Sequence, residues 1–397
     1  MNMKITTRKW PFALILCALL LFLTPLTSLQ AENSSISTHA RAATLIDVES
    51  GRILYSSRGD EPMLIASLTK IMTALVAIEN GDLTTKVKVG KNAFAKEGSS
   101  LFLKMGEEMT LENMLYGLML RSGNDAATAI AEHVGGSEEG FVYMMNAKAK
   151  ELGLTHTHFA NPHGLDAEGH YSTANDLAVL TAYALHNPVF KEIVKTPEKT
   201  ADNPEEKWDY KWSNKNKMLR LYEGADGVKT GYTKKALRCL VSSATRNGQQ
   251  LVVVTLNDGD DWNDHASLLN FGFNHYPLKR LIERGDAVSG YTLVTGKDFA
   301  YPFGQGEQER LVTKLVLNQK QVTTSKQPRG SSFGLGGFLV LQLGGQEIGR
   351  IPVYAPDHLP PEQSAYVKKF SAVTAPIYPT DNWLQALGSA FRALFER

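Results

Sequence analysis

Two strand-like stretches stand far apart in this chain, and most of what lies between them reads as helix. The first, "AATLIDVESGRILYSSR", is a pair of short alternating runs about a Glu-Ser-Gly turn, which is a hairpin signal. The second is "ALRCLVSSAT" and "QLVVVTLND" around an Asn-Gly turn. Strands at both ends of a helical middle imply one sheet whose first and last parts pair across the sequence, closing a domain at about residue 276. The middle supplies a helix over 67–80 with Ile71, Ala74, Leu75 and Ile78 on one apolar face and Gly81 as C-cap. Further helices are expected at 111–120 after Thr110, 126–134 ending at Gly135, 138–152 after Ser137, and from Thr173 to about His186, where Asp176 completes a capping box. A last helix is placed near 263–275.

From Gly285 the texture changes to short runs punctuated by glycine, "GYTLVTGKD", "RLVTKLVLN" and "FLVLQLGGQEIGRIPVYA". These predict a small all-β domain over 280–370, suited to support, spacing or protein contact. Length alone allows two or three domains.

The ends of the chain speak to location. "MNMKITTRKW" is a basic leader, "PFALILCALLLFLTPL" an apolar core, and "TSLQA" ends in a small residue, so residues 1–31 read as a secretory signal cut after Ala31. The apolar run is short and broken by Pro25, which disfavours an uncleaved anchor. Cys17 leaves with the signal, so Cys239 is the only cysteine of the mature chain and reads as a buried core thiol. An exported chain without an internal disulfide must rely on a large apolar core. In residues 381–397, "DNWLQALGSAFRALFER", Asp381 can cap a helix carrying Leu384, Leu387, Phe391, Leu394 and Phe395 on one face. Too short and polar to cross a bilayer, it suits the membrane interface better than its own domain. A formal net charge of +1, with no concentration of Lys and Arg, gives no reason to expect a nucleic-acid partner.

The chemistry begins in "MLIASLTKIM". Ser67 and Lys70 stand three apart, so both face one side of a helical turn, with Ser67 near its positive end. A serine hydroxyl needs a base to take its proton, and lysine serves only when burial or a neighbouring positive charge keeps it neutral. "DGVKTGYT" offers such a neighbour in Lys229, placed just before a predicted strand, with Thr230 available to hold a substrate carboxylate. In "LMLRSGNDAA", Ser122 and Asn124 fall between two helices, where Gly123 permits an unusual turn. A hydroxyl there can relay a proton, and the amide can hold a lysine or a substrate carbonyl.

Taken together and in this order, Ser67-Leu68-Thr69-Lys70, Ser122-Gly123-Asn124 and Lys229-Thr230-Gly231 resemble the three signature motifs of the penicillin-binding proteins and serine β-lactamases. More narrowly, "IDVESGRILYSSRGDEPMLIASLTKIMTAL" and "THTHFANPHGLD" resemble the serine-type D-alanyl-D-alanine carboxypeptidases, the low-molecular-mass penicillin-binding proteins. The resemblance implies an α+β fold: a β-lactamase/transpeptidase-like catalytic domain over 35–276, its sheet flanked by a helical subdomain, followed by the small β domain. It implies an exported enzyme, peripherally attached to the outer face of the cytoplasmic membrane, that trims peptidoglycan stem peptides without a metal or other cofactor. Ser67 would attack the carbonyl between the last two D-alanines and Lys70 would activate it as general base. Ser122 would relay protons, Asn124 would position, and Lys229, Thr230 and Gly231 would bind the terminal carboxylate. The backbone N–H groups of Ser67 and Tyr232 would meet the oxyanion, and β-lactams would trap Ser67 covalently.

Three rivals are weaker. His156, His158, His163, His170 and Asp166 fall close together and suggest zinc, but no His-Glu-x-x-His is present, and these histidines and Asn161 are expected to shape a loop beside the cleft. A β-lactamase needs an extra carboxylate to prime a water, and no Glu-x-x-Leu-Asn lies between the second and third motifs. A non-catalytic wall-binding scaffold would leave three intact motifs as coincidences.

Overall fold

The computed structural model describes residues 36–203, 206–318 and 334–361. The expected signal at 1–31 and terminal helix at 381–397 lie outside the described residues.

Strand β1 (Ala40–Asp47) turns through Glu49-Ser50-Gly51 into β2 (Ile53–Ser57). Helix α1 (Lys70–Asn80) follows, then a ribbon of β3 (Lys86–Lys88) and β4 (Glu108–Thr110). Four helices continue the middle: α2 (Leu111–Tyr116), α3 (Asn124–Gly135), α4 (Glu138–Glu151) and α5 (Ala174–Leu185). After α6 (Pro188–Lys195) come a hairpin of β5 (Glu198–Ala201) and β6 (Tyr210–Ser213) and a single turn, α7 (Met218–Leu221). The chain returns to the sheet as β7 (Ala225–Thr233), β8 (Leu237–Arg246) and β9 (Gln249–Asp258), and α8 (Asp261–His275) covers it.

The sheet is antiparallel in the order β2-β1-β9-β8-β7. Its first and last parts do pair across the sequence, with Ala40 opposite Asp258 and Asp47 opposite Leu251. The β8–β9 hairpin turns at Asn247-Gly248, both with positive φ (50° and 80°), as its tight turn requires. α1 has no solvent face over most of its length: Lys70 through Ala77 are all buried, so the helix lies inside the molecule rather than on it.

Several local expectations shift. The helix predicted over 67–80 starts as a tighter turn, Ala66–Thr69, before becoming α-helical at Lys70. The helix predicted over 111–120 ends its α-helical part at Tyr116 and widens to a π-turn over Gly117–Arg121. α3 begins at Asn124, two residues early, so Asn124 is the first residue of a helix and not part of a loop. Thr173 caps α5 by accepting from Asp176 N, but the box is only half made, because the Asp176 carboxylate turns instead to His156 N and Thr157 Oγ1. Lys229 lies in the middle of β7, opposite Val241, not ahead of the strand. Helix α6 and the hairpins β3–β4 and β5–β6 had no sequence signal strong enough to place them.

Beyond the sheet the chain is built from strands: β10 (Leu278–Ile282), β11 (Val294–Thr295), β12 (Phe299–Pro302), β13 (Leu311–Leu317), β14 (Leu335–Leu343) and β15 (Gln346–Tyr354). β10 pairs with β12, and the others form a sheet in the order β11-β15-β14-β13 around Leu341 and Ile351. Arg52, just before β2, reaches into this region. Its guanidinium makes a forked pair with Glu307 (2.6 and 2.8 Å), donates to Pro302 O (2.7 Å), and lies between the rings of Tyr276 and Tyr301.

Candidate active site

The site forms where α1 enters the sheet's open edge. Ala66 adopts φ +46°, an unfavourable conformation for a residue with a side chain, and this kink sets Ser67 at the head of the turn that leads into α1. Thr69 locks the kink by donating its hydroxyl to Ala66 O (2.9 Å), while His170 Nε2 contacts the Thr69 hydroxyl oxygen at 2.7 Å. Because Thr69 is already donating and His170 Nδ1 accepts from Ala160 N (3.0 Å), the histidine must carry its proton on Nε2. Burial lowers its pKa to about 4, so it stays neutral.

Lys70 is fully buried. Its Nζ contacts Ser67 Oγ at 3.0 Å and Asn124 Oδ1 at 2.8 Å, and also donates to His163 O. Desolvation, then the charges of Lys229 and Lys215, hold its pKa well below the ordinary lysine value. Asn124 is held in turn: its Nδ2 donates to Glu97 O (2.7 Å) and its backbone N to Ser99 O (2.7 Å). The amide thus holds the lysine through Oδ1 while one of the two Nδ2 hydrogens is spent on Glu97 O.

Ser122 takes the left-handed conformation (φ +69°) expected of Gly123, which has an ordinary φ of −59°. Gly123 is needed for space: a Cβ there would fall 2.7 Å from Leu101 Cγ and from Asp125 Oδ1. The turn leaves Ser122 Oγ buried with no hydrogen bond, and so unattached to Lys70.

Lys229 is also buried, with its Nζ donating to Thr230 O (2.8 Å), and burial followed by the charge of Lys215 lowers its pKa to about 7. A Cβ on Gly231 would lie 3.2 Å from Ser67 N and from Ile65 O, so the glycine lets β7 run against the Ser67 turn. The outer edge of β7 is unpaired in the sheet, which leaves backbone groups there for an extended ligand.

Of the histidines expected beside the cleft, His163 and His170 are buried against Lys70 and Thr69, whereas His156 and His158 are exposed. In the 156–170 segment Asn161 Oδ1 accepts from Gly164 N (2.7 Å) and His163 N (3.3 Å), and its Nδ2 donates to Leu165 O (2.9 Å). Among the described residues no group of three or more His, Cys, Asp or Glu side chains is arranged to hold a metal. Asp166 accepts from Thr233 instead. Cys239 is buried, its thiol pushed up to about 12 by burial and so unreactive.

The profile of the D-alanyl-D-alanine carboxypeptidases matches residues 28–260. The chain belongs to this family. The D-alanyl-D-alanine carboxypeptidase DacF of Bacillus subtilis is 34% identical over 345 residues, 82% of this chain and 87% of its own. DacC of Escherichia coli is 34% identical over 364 residues, 84% of this chain and 88% of its own. Among solved structures, penicillin binding protein 5 from Haemophilus influenzae superposes with a TM-score of 0.66 at 28% identity, covering 80% of this chain and 97% of that one. The carboxypeptidase DacD from Francisella tularensis gives 0.62 at 27%, covering 81% and 93%. Within this carboxypeptidase, sequence reading missed the carbonyls of His163 and Glu97, since a backbone oxygen has no residue type to mark it. It also missed Lys215, whose Nζ lies 3.4 Å from Ser99 Oγ; the lysine is one of many in the sequence, and only the fold brings it to the site.

Proposed function

We propose that this chain is a serine-type D-alanyl-D-alanine carboxypeptidase that removes the terminal D-alanine from peptidoglycan stem pentapeptides through an acyl-enzyme on Ser67. One observation carries the assignment of roles. A neutral lysine amine has two N–H donors and one lone pair, whereas Asn124 Oδ1 and His163 O can only accept. Once both hydrogens are spent on those oxygens, the lone pair is left for Ser67 O–H, the third partner. The site thus favours an amine that accepts from the serine.

Ser67 Oγ attacks the carbonyl carbon of the penultimate D-alanine while its proton passes to Lys70. The N–H groups of Ser67 and Tyr232 stabilise the tetrahedral oxyanion, and Lys229 with Thr230 and Gly231 holds the terminal carboxylate. Collapse breaks the C–N bond, and the departing amine takes the proton back from Lys70 directly or through the unattached Ser122 hydroxyl. Asn124 positions the lysine throughout. Water then adds to the ester, and the tetrapeptide leaves with Ser67 restored. A penicillin acylates in the same way, but its amine leaving group stays tethered and, among the described residues, no acidic side chain is bonded to Ser67 or Lys70 to prime a water. Slow release follows.

We further propose a signal at 1–31, a catalytic domain at 35–276, a β domain at 280–370 and a membrane-interface helix at 381–397, with the enzyme outside the cytoplasmic membrane and attached peripherally. The apolar face and tryptophan of the last segment support the attachment.

The test is the intact mass of the purified enzyme after incubation with a penicillin, beside Ser67→Ala, together with D-alanine release from a pentapeptide. A lasting gain equal to the drug, absent from the variant, with D-alanine released by the native enzyme alone, is the expected result. Rapid consumption of the drug without an adduct would favour a β-lactamase, and neither adduct nor release a binding protein.

A further inference from the structure

Lys70 is aimed by His163 O on one loop and by Asn124 Oδ1 at the head of α3, whose amide is held by a second loop, and one carboxylate outside the catalytic motifs touches both loops. His163, whose carbonyl accepts from Lys70, is buried, and its ring Nδ1 accepts from Leu165 N at 3.2 Å. The proton therefore sits on Nε2, which lies 3.6 Å from Glu138 Oε1. The other oxygen, Oε2, pairs with Lys96 Nζ at 3.3 Å. Lys96 precedes Glu97, whose carbonyl holds Asn124 Nδ2, and Asn124 Oδ1 is the second acceptor for Lys70.

Glu138 is itself well anchored. It opens α4, whose N-cap Ser137 accepts from Gly140 N (3.0 Å), and a carboxylate in the first turn is favoured by the helix dipole. His163 and then Lys96 draw its pKa down, so it is charged in the working range. It also stands at the wall of a cavity of about 600 Å³ lined by Asn92, Lys96, Glu132 and Ser137 among others, so water can reach the far side of the contact. Without the carboxylate the His163 ring has a polar partner on one nitrogen only, and that solvent is free to compete for the other.

We infer that Glu138 is a positioning residue for acylation: by tying His163 and Lys96 to one helix end, it keeps the two acceptors of Lys70 in place and the amine directed at Ser67. The inference rests on Lys70 acting as the base. No contact to substrate is assigned to Glu138; its effect passes entirely through the two loops.

The experiment is the rate of acylation by a labelled penicillin, measured across pH and expressed per active site from the labelling endpoint, for the native enzyme, Glu138→Ala, Glu138→Gln and Lys96→Met. Native acylation at Ser67 checks the underlying reading by itself. Glu138→Ala is expected to slow acylation at least about tenfold per site, as small misplacements of a reacting group do. Glu138→Gln, which keeps an acceptor for His163, should recover most of that rate, and Lys96→Met should lose less than Glu138→Ala. The acid limb of the pH profile should move in Glu138→Ala, because the dipoles facing Lys70 have changed. If Glu138→Ala folds and acylates at the native rate per site with an unmoved limb, the inference is wrong. Should that variant not fold, Glu138→Met, which fills the space but offers no acceptor to His163 or Lys96, takes its place, and a native rate per site with an unmoved limb there would overturn the inference equally.

Discussion

Gly164 is where two parts of the site come closest. Its φ of +84° suits glycine, and a Cβ there would stand 2.0 Å from Ala66 O and 2.6 Å from the carbonyl carbon. The 161–165 segment thus presses its backbone directly on the kink that carries Ser67, one residue from the carbonyl that binds Lys70. Gly164→Ala is expected to cost about 2–4 kcal/mol, combining backbone strain with a clash that no side-chain rotation can relieve. The acylation rate should fall in the same variant, since the backbone must separate just where Ser67 and Lys70 are aligned. Denaturant melts and penicillin labelling would read the two effects; an alanine variant as stable and as fast as the native enzyme would contradict this account of the contact. The residue scale is also where sequence was least complete. Ser67, Lys70, Asn124 and Lys229 could be picked out in the sequence by residue type, but the strain fell on Ser122 and Ala66, neither of them a residue that advertises a positive φ.

At the scale of elements, the junction of β9 with α8 is governed by acids. Asp258 ends β9, is 1% exposed, and accepts from Asp260 N at 2.9 Å through Oδ1, while Oδ2 has no donor. Asp264 on α8 faces it, and that carboxylate is bonded to His39 through N (2.5 Å) and Nδ1 (3.1 Å) just before β1. Arg238 from β8 is engaged by Asp261. Burial, then the charge of Asp264, pushes Asp258 up to about 6. The native state therefore keeps a proton that an unfolded aspartate, with a pKa of about 3.9, gives up. Its contribution to stability is complete below about pH 4 and is lost as pH rises through about 6. Asn at 258 mimics the protonated acid and cannot ionise, so Asp258→Asn should gain about 1–2 kcal/mol on the native enzyme at pH 7.5 and little at pH 4.5. Melts at the two pH values check it, and an equal difference at both would refute the assignment. The strands and the helix here were legible from alternation, the Asn-Gly turn and the apolar period. Hairpins β3–β4 and β5–β6 were not, because strands of three or four residues are too short for a period to register.

Across the whole molecule, the two sheets are tied through Arg52. The side chains of Arg52 and Glu307 are 19% and 18% exposed, the pair is forked, and the guanidinium lies between Tyr276 and Tyr301. Such a pair is worth more than a surface ion pair because water cannot easily replace either partner. Arg52→Ala should lower stability by about 1–3 kcal/mol and raise hydrogen exchange in β10 and β12 before it affects penicillin labelling. Exchange unchanged in those strands would show that other contacts hold the region. The order of parts, an early and a late half of one sheet around a helical middle and then a smaller β region, could be read from sequence because each change of texture spans many residues. The latch could not, since one arginine and one glutamate separated by most of the chain carry no pattern.

The open side of β7 gives the architecture a cost as well as a use. Soluble proteins ordinarily protect the border of a main sheet, yet among the described residues no strand pairs with the border next to Ser67. The enzyme is in this sense one strand short, and an extended peptide lying along β7 would act as that strand for the length of its visit. Binding and the completion of the fold become one event. A captured peptide would then be rewarded for being straight before any of its side chains is examined.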